Sequence, residues 1–130
     1  MAHEMIGFYT IADNADGILK IMRSYQYYAA SSIAKKVAKT NWTKNEQYGG
    51  YIWHTTGSGK TLTSFKTAQL ATLIEGVDKV LFVVDRRDLD YQTMKEYDHF
   101  EKDCANSNSS ARILLKQLKA SDNRIIITTI

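Results

Sequence analysis

Between an apolar triplet, Tyr51–Trp53, and an amphipathic run that begins at Leu62, the chain reads Gly57-Ser58-Gly59-Lys60-Thr61. Few backbones can carry that string. Successive N–H groups curl into a concave nest only where side chains stay out of the way, and Gly57 and Gly59 bring none. A nest at the start of a helix attracts an anion, because the first N–H groups of a helix lack intrahelical partners and its dipole adds partial positive charge. Lys60 adds a mobile ammonium suited to β and γ phosphates, and Thr61 a hydroxyl suited to a Mg²⁺ shell. The string therefore predicts a strand, a phosphate loop and a helix from about Thr61 to Glu75, binding a nucleotide polyphosphate with Mg²⁺. Thr56, Gly57, Ser58, Gly59, Lys60 and Thr61 are the candidate phosphate contacts. Lys60 and Thr61 are the candidate catalytic pair, and Thr61 the candidate metal ligand. The strict pattern wants glycine five residues before Gly59, where this chain has His54; the expectation for His54 is the last position of the preceding strand.

Composition bounds the rest. The chain has 130 residues, 44% hydrophobic and 24% charged, an ordinary globular balance for one domain at most. Cys104 is its single cysteine and it has three histidines, so an internal disulfide is excluded and a metal cluster is not expected. The first ten residues lack the basic start and apolar run of a signal peptide, and no stretch reaches the ~20 apolar residues of a membrane span. A soluble, cytoplasmic chain without a membrane partner is expected. The net charge of +3 is uneven: residues 1–17 hold three acids and no Lys or Arg, whereas residues 18–66 hold eight bases against Glu46. A basic middle beside a phosphate loop suits an anionic partner, ATP or nucleic acid. Lys35, Lys36 and Lys39 alone read as a solvated helix face.

Along the chain, residues 1–19 read as a loose leader. From Arg23 to Lys39 the residues Gln26, Ala29, Ala30, Ile33 and Val37 share one helical face. In the helix after the loop, Leu62, Phe65, Leu73 and Ile74 supply the apolar side, and Gly76 stops it. Lys79–Val84 reads as a strand covered on both faces, Asp88–Phe100 as a helix, and Glu101–Ser110 as a solvated loop. Ala111–Ala120 reads as a further helix and Arg124–Ile130 as a second buried strand. Strands alternating with helices predict a parallel sheet with crossover helices. Ending on such a strand, the chain is expected to be part of a longer module. Asp85, at a strand end, is the only candidate magnesium carboxylate, but Arg86 and Arg87 would compete for it.

Four strings together resemble the front half of the motor core of superfamily-two helicases and translocases, and most of all the motor subunit of type I restriction enzymes. They are Arg23–Ala30 (R-S-Y-Q-Y-Y-A-A), Trp53–Thr61 (W-H-T-T-G-S-G-K-T), Val83–Gln92 (V-V-D-R-R-D-L-D-Y-Q) and Ile125–Ile130 (I-I-I-T-T-I). The likeness covers roughly residues 20–130. It departs at Ser24, where related sequences often carry proline, and it lacks the Asp-Glu-x-His box, the second lobe, the arginine finger and the nuclease carboxylates.

The resemblance implies an α/β fold: a three-layer RecA-like phosphate-loop NTPase lobe with a parallel sheet, incomplete at its C-terminal end, over residues 20–130. Its function would be the ATP-binding part of a double-stranded DNA translocase, working with modification and specificity subunits. In the whole protein a nuclease domain upstream would cut the DNA, and the isolated chain would turn over little or no ATP. Gln26 would read the adenine edge, its amide both donating and accepting; the alternative is a polar surface position. Arg86 and Arg87 would face the DNA backbone, or else pair with Asp85. Thr128 would give a hydroxyl to phosphate, or serve with Thr129 as a β-branched strand residue. Tyr25, Tyr27 and Tyr28 are expected to pack the first helix rather than to stack on adenine. Two other functions fit the loop alone, a small-molecule kinase and a non-hydrolysing nucleotide-binding scaffold. The kinase would keep the first glycine and carry an arginine-rich lid, features this chain lacks.

Overall fold

The computed structural model describes residues 2–40, 49–84, 94–98, 105–107, 110–121 and 124–129. The expected loose leader is ordered. It begins with helix α1 (Ala2–Phe8), followed by an antiparallel hairpin of β1 (Thr10–Asp13) and β2 (Ile18–Ile21) with Thr10 opposite Ile21 and Asp13 opposite Ile18. Alternation sends Tyr9, Ile11 and Asp13 inward while their neighbours stay accessible. The turn between the strands is organised by Asp13. Its Oδ1 accepts from the N–H groups of Ala15 and Asp16, both at 3.1 Å, and its Oδ2 accepts from Lys20 Nζ. The hydrogen bond from Lys20, with the turn's N–H groups, holds the Asp13 carboxyl below its ordinary range and raises the Lys20 ammonium in return.

Helix α2 (Ser24–Lys39) follows at once, and α3 (Lys60–Ala71) packs along it. The face expected for α2 is the one it buries: Gln26, Ala29 and Ala30 are buried, with Ile33 and Val37 partly covered. Tyr27 lies against Tyr9 edge to face, ring centres 4.6 Å apart, and donates its hydroxyl to Glu4 at 3.0 Å. That contact ties α1 and the hairpin to α2, so the start of the chain is part of the packed body.

Helix α3 ends earlier than its apolar pattern suggests. Leu73 N–H reaches back to Leu70 O and Ile74 N–H to Ala71 O, both at 3.1 Å, and these three-residue steps tighten the last turn. Gly76, at φ 84°, then takes the chain away. Leu73 is left 76% exposed, so the apolar side of α3 rests on Leu62, Phe65, Ala68 and Ala71.

Three strands form a parallel sheet in the order β3 (Val80–Val84), β5 (Ile125–Thr129), β4 (Ala105–Ser107), with Val80 opposite Ile125 and Ala105 opposite Ile125 on the other side. The order requires crossovers, as the alternation of strands and helices predicted. The central strand is covered on both faces: Ile126 and Ile127 are fully buried, Ile125 and Thr128 nearly so. β3 corrects the expectation made for it. Among the described residues it lies at the sheet edge and is covered on one face, with Val80, Phe82 and Val84 packed on the core and Leu81 and Val83 46% and 49% exposed. β4 is a second correction. Ala105, Asn106 and Ser107 carry no strand pattern, and backbone pairing with β5 alone makes them one.

Residues 94–98 are helical, and Tyr97 seats them. Its buried ring meets Phe65 at 5.2 Å and Phe82 at 5.9 Å, and its hydroxyl donates to Ser64 Oγ at 2.9 Å. Burying such a ring contributes about 2–3 kcal/mol and one hydrogen bond about 1 kcal/mol, so packing dominates. Helix α4 (Ala111–Lys119) is capped by Ser110, whose Oγ accepts from Ile113 N–H at 3.4 Å. The core joins Tyr9, Ile11, Met22, Tyr27, Ala30, Phe65, Ala68, Tyr97, Ile125 and Ile127.

Candidate nucleotide-binding site

The phosphate loop stands in front of α3, but the strand expected before it is not formed. Tyr51, Ile52 and Trp53 are 91%, 45% and 88% exposed and outside any ladder. A central strand exists only by pairing, and among the described residues the parallel strands pair with one another instead. His54 is accordingly a loop residue.

Gly57 and Gly59 adopt φ 75° and 80°, where an L side chain costs about 1–2 kcal/mol. The two positions differ in what surrounds them. A Cβ on Gly57 would meet nothing within 4 Å, whereas one on Gly59 would stand 2.3 Å from Gln26 Nε2. Lys60 opens α3, whose first turn carries no acidic residue, so the positive helix end is not neutralised from within. Thr55 O accepts three donors of the loop: Ser58 N–H at 3.3 Å, Ser58 Oγ at 2.7 Å and Lys60 Nζ at 3.1 Å.

Helix α2 supplies the brace. Gln26 is its third residue and is 4% exposed. Its Oε1 accepts from Arg23 N–H at 2.8 Å, capping α2, and its Nε2 donates to Ser58 O and Gly59 O, each at 3.3 Å. Tyr25 donates its hydroxyl to the same Ser58 carbonyl at 2.9 Å. Both N–H groups of the Gln26 amide are thus directed at the loop, and reading an adenine edge would require them to leave those carbonyls. The alternative of a surface position is excluded by burial. His54 completes the set, its Nδ1 lying 2.9 Å from Ser58 Oγ and its ring edge-on to Tyr25 at 6.0 Å. Sequence reading missed Tyr25 and His54 as loop contacts. Tyr25 is 33 residues from Ser58, so no local pattern signals their meeting.

The donor set fits a polyphosphate with Mg²⁺. Two left-handed glycines keep the loop open, Lys60 is exposed, and Thr56 and Thr61 are accessible beside it. A cavity of about 750 Å³ runs from His54 and Lys60 along α3 between Val37, Ala68, Leu81 and Phe82. Its walls are mainly apolar, so phosphate chemistry belongs to the loop. Asp85, Arg86 and Arg87 lie outside the described residues. Thr128 sits in β5 and is 6% exposed, a strand-packing position that holds its hydroxyl away from solvent. Among the described residues no group of three His, Cys, Asp or Glu is gathered for a metal ion, and no helix is long and apolar enough to cross a membrane.

The profile of the SWI2/SNF2 ATPase family matches residues 25–130, from the start of α2 through the loop, the sheet and α4. The chain belongs to the SWI2/SNF2 ATPase family. That membership implies the use of ATP. This SWI2/SNF2 ATPase chain is 42% identical to a type I restriction enzyme endonuclease subunit of Staphylococcus saprophyticus, over 98% of this chain and 13% of that protein. It is 41% identical to one of Staphylococcus aureus with the same coverage. A Mycoplasma pneumoniae protein, provisionally named as the C-terminal part of such a subunit, is 45% identical over 95% of this chain and 62% of its own length. The chain therefore spans about an eighth of the staphylococcal relatives. The resemblance to type I restriction subunits drawn from four short strings holds across nearly all of it.

Proposed function

We propose that this chain is the ATP-binding part of the DNA-translocating motor of a type I restriction–modification system, the first RecA-like lobe of that motor. The observation that carries the reading is the loop itself: left-handed Gly57 and Gly59 set before the N-terminus of α3, with Lys60 and Thr61 in its first turn. Lys60 would bind the β and γ phosphates, exchanging the Thr55 carbonyl for phosphate oxygens, and Thr61 would give its hydroxyl to Mg²⁺. Backbone and side-chain groups of Thr56 through Gly59 would line the polyphosphate. Bound Mg²⁺ would supply charge neutralisation for phosphoryl transfer. Gln26 would hold the loop, and its remaining acceptor capacity is what it could offer a base.

We assign residues 20–130 the three-layer RecA-like architecture of a phosphate-loop NTPase, with the leader of residues 1–19 continuous with it through β2. Double-stranded DNA would be gripped by phosphate contacts from Arg86 and Arg87, which follow β3 in the sequence; open parallel sheets bind ligands at the C-terminal edge of their strands. Thr128, at the same edge of β5, would join them only if its cover moved. The partners would be modification and specificity subunits, and the setting cytoplasmic.

The test is ATP turnover by the restriction complex containing this chain, with and without duplex DNA. Duplex-stimulated turnover that Lys60→Ala abolishes supports the motor. Transfer of phosphate to a small acceptor, or nucleotide binding without turnover in the complete complex, sinks it.

A further inference from the structure

The hydrogen bonds around Ser58 determine which nitrogen of His54 carries a proton. Ser58 has a single hydroxyl hydrogen, and its Oγ lies 2.7 Å from Thr55 O, a carbonyl that can only accept. That hydrogen is therefore spent on Thr55. The contact between Ser58 Oγ and His54 Nδ1, at 2.9 Å, must then be made with a hydrogen supplied by the imidazole. A chain of two bonds results, from His54 Nδ1–H to Ser58 Oγ and from Ser58 Oγ–H to Thr55 O. Meanwhile Tyr25 and Gln26 hold the Ser58 carbonyl from the other side. Ser58 is fixed through both its side chain and its backbone.

We propose that His54, at the position where the strict phosphate-loop pattern has glycine, is a positioning residue for nucleotide. It acts through Ser58. Holding Ser58 fixes the peptide planes on either side of it, and with the second of them the N–H group of Gly59 that an anion would use. A glycine gives a phosphate loop freedom at its mouth; this loop is set instead by an imidazole, whose ring is steadied by the edge of Tyr25. The proposal rests on the nucleotide reading above.

The test combines MgATP titration of the full chain, followed by amide NMR shifts, with long-range proton–nitrogen spectra of the imidazoles. His54→Asn carries an amide N–H close to where Nδ1 stands, His54→Gln carries one further out, and His54→Phe carries none. His54→Phe and His54→Gln are expected to weaken MgATP binding by about three- to ten-fold, the worth of one hydrogen bond. His54→Asn is expected to remain within about two-fold of the parent, and neither His54→Phe nor His54→Gln should weaken binding further in a Ser58→Ala background. The His54 ring, assigned by its disappearance in His54→Asn, is expected to show the Nδ1–H form. An Nε2–H ring, or His54→Phe binding MgATP as the parent does, overturns the proposal. If MgATP binds neither the parent nor Lys60→Ala while the Nδ1–H form is present, the nucleotide reading fails. The bond is then a structural brace and the positioning role is refuted.

Discussion

The hairpin turn at residues 14–17 and the loop at residues 55–59 are both closed by left-handed glycines, Gly17 at φ 65° in one and Gly57 and Gly59 at 75° and 80° in the other. They treat charge in opposite ways. The hairpin turn carries its own anion: the buried Asp13 carboxylate accepts from the N–H groups of Ala15 and Asp16, and Lys20 neutralises it. In the phosphate loop the neighbouring side chains are donors. Tyr25, Gln26 and Lys60 all donate to loop carbonyls, and α3 begins without an acidic residue. A turn that satisfies its N–H groups with an internal carboxylate is a fixed corner of the fold. One whose carbonyls are held by donors, at a helix N-terminus, leaves the N–H side for an external anion. The contrast supports the proposed binding role of the second turn without appeal to any relative.

Substitutions at four positions test that contrast, in decreasing order of expected effect. Lys60→Ala is expected to lower MgATP affinity by on the order of 100-fold, the worth of charge-assisted bonds to phosphate. Folding stability should change by less than about 0.5 kcal/mol because the side chain is exposed; titration paired with urea melts separates the two. Gly59→Ala is expected to destabilise the fold by about 2–4 kcal/mol. The left-handed backbone accounts for about 1–2 kcal/mol, and displacing the buried Gln26 amide from its carbonyls adds a lost hydrogen bond or two. A melt within 1 kcal/mol of the parent would show that Gln26 moves aside freely.

Asp13→Asn keeps an acceptor for the turn and removes the charge, so it isolates the ion pair with Lys20. The Asp13 carboxyl is held below its ordinary 3.8, first by the Lys20 hydrogen bond. Its contribution is therefore fully present above about pH 3.8 and is lost as pH falls through the lower folded value. The variant should be less stable than the parent at neutral pH, with the gap closing in acid. A gap that persists below the folded value would mean that the charge is not its source. Gly17→Asn is expected to shift stability by only a few tenths of a kcal/mol, since asparagine tolerates the left-handed region and a Cβ there meets nothing within 4 Å. Thermal melts of Gly17→Asn beside Gly59→Asn would show directly how far the two glycines differ.

The phosphate loop, α2, α4 and the central strand β5 could be read from the residues because each announces itself locally. Glycine spacing, a 3.6-residue apolar face and an unbroken isoleucine run all act over a few neighbours. The errors share a cause. Tyr51–Trp53 has the composition of a strand, but a strand is made by its partner, and no described strand pairs with it. Ala105–Ser107 lacks that composition and becomes a strand because β5 offers its edge. Lys79–Val84 reads as doubly covered because its apolar run is unbroken, and composition cannot reveal that nothing described covers the face of Leu81 and Val83. Gln26 was located correctly on its helix and singled out, but the capping bond to Arg23 and its hold on the Ser58 and Gly59 carbonyls were not visible.

By itself the sequence determined the chemistry available to this protein: a glycine pair free of side chains, an ammonium and a hydroxyl in fixed order before a helix, within the SWI2/SNF2 ATPase family. Those properties are short-range, set by backbone sterics and by functional groups a few residues apart. The tertiary structure alone decided which groups hold that loop in shape. Tyr25 and Gln26 reach Ser58 from 33 and 32 residues away, and only the packing of α2 against α3 brings them there.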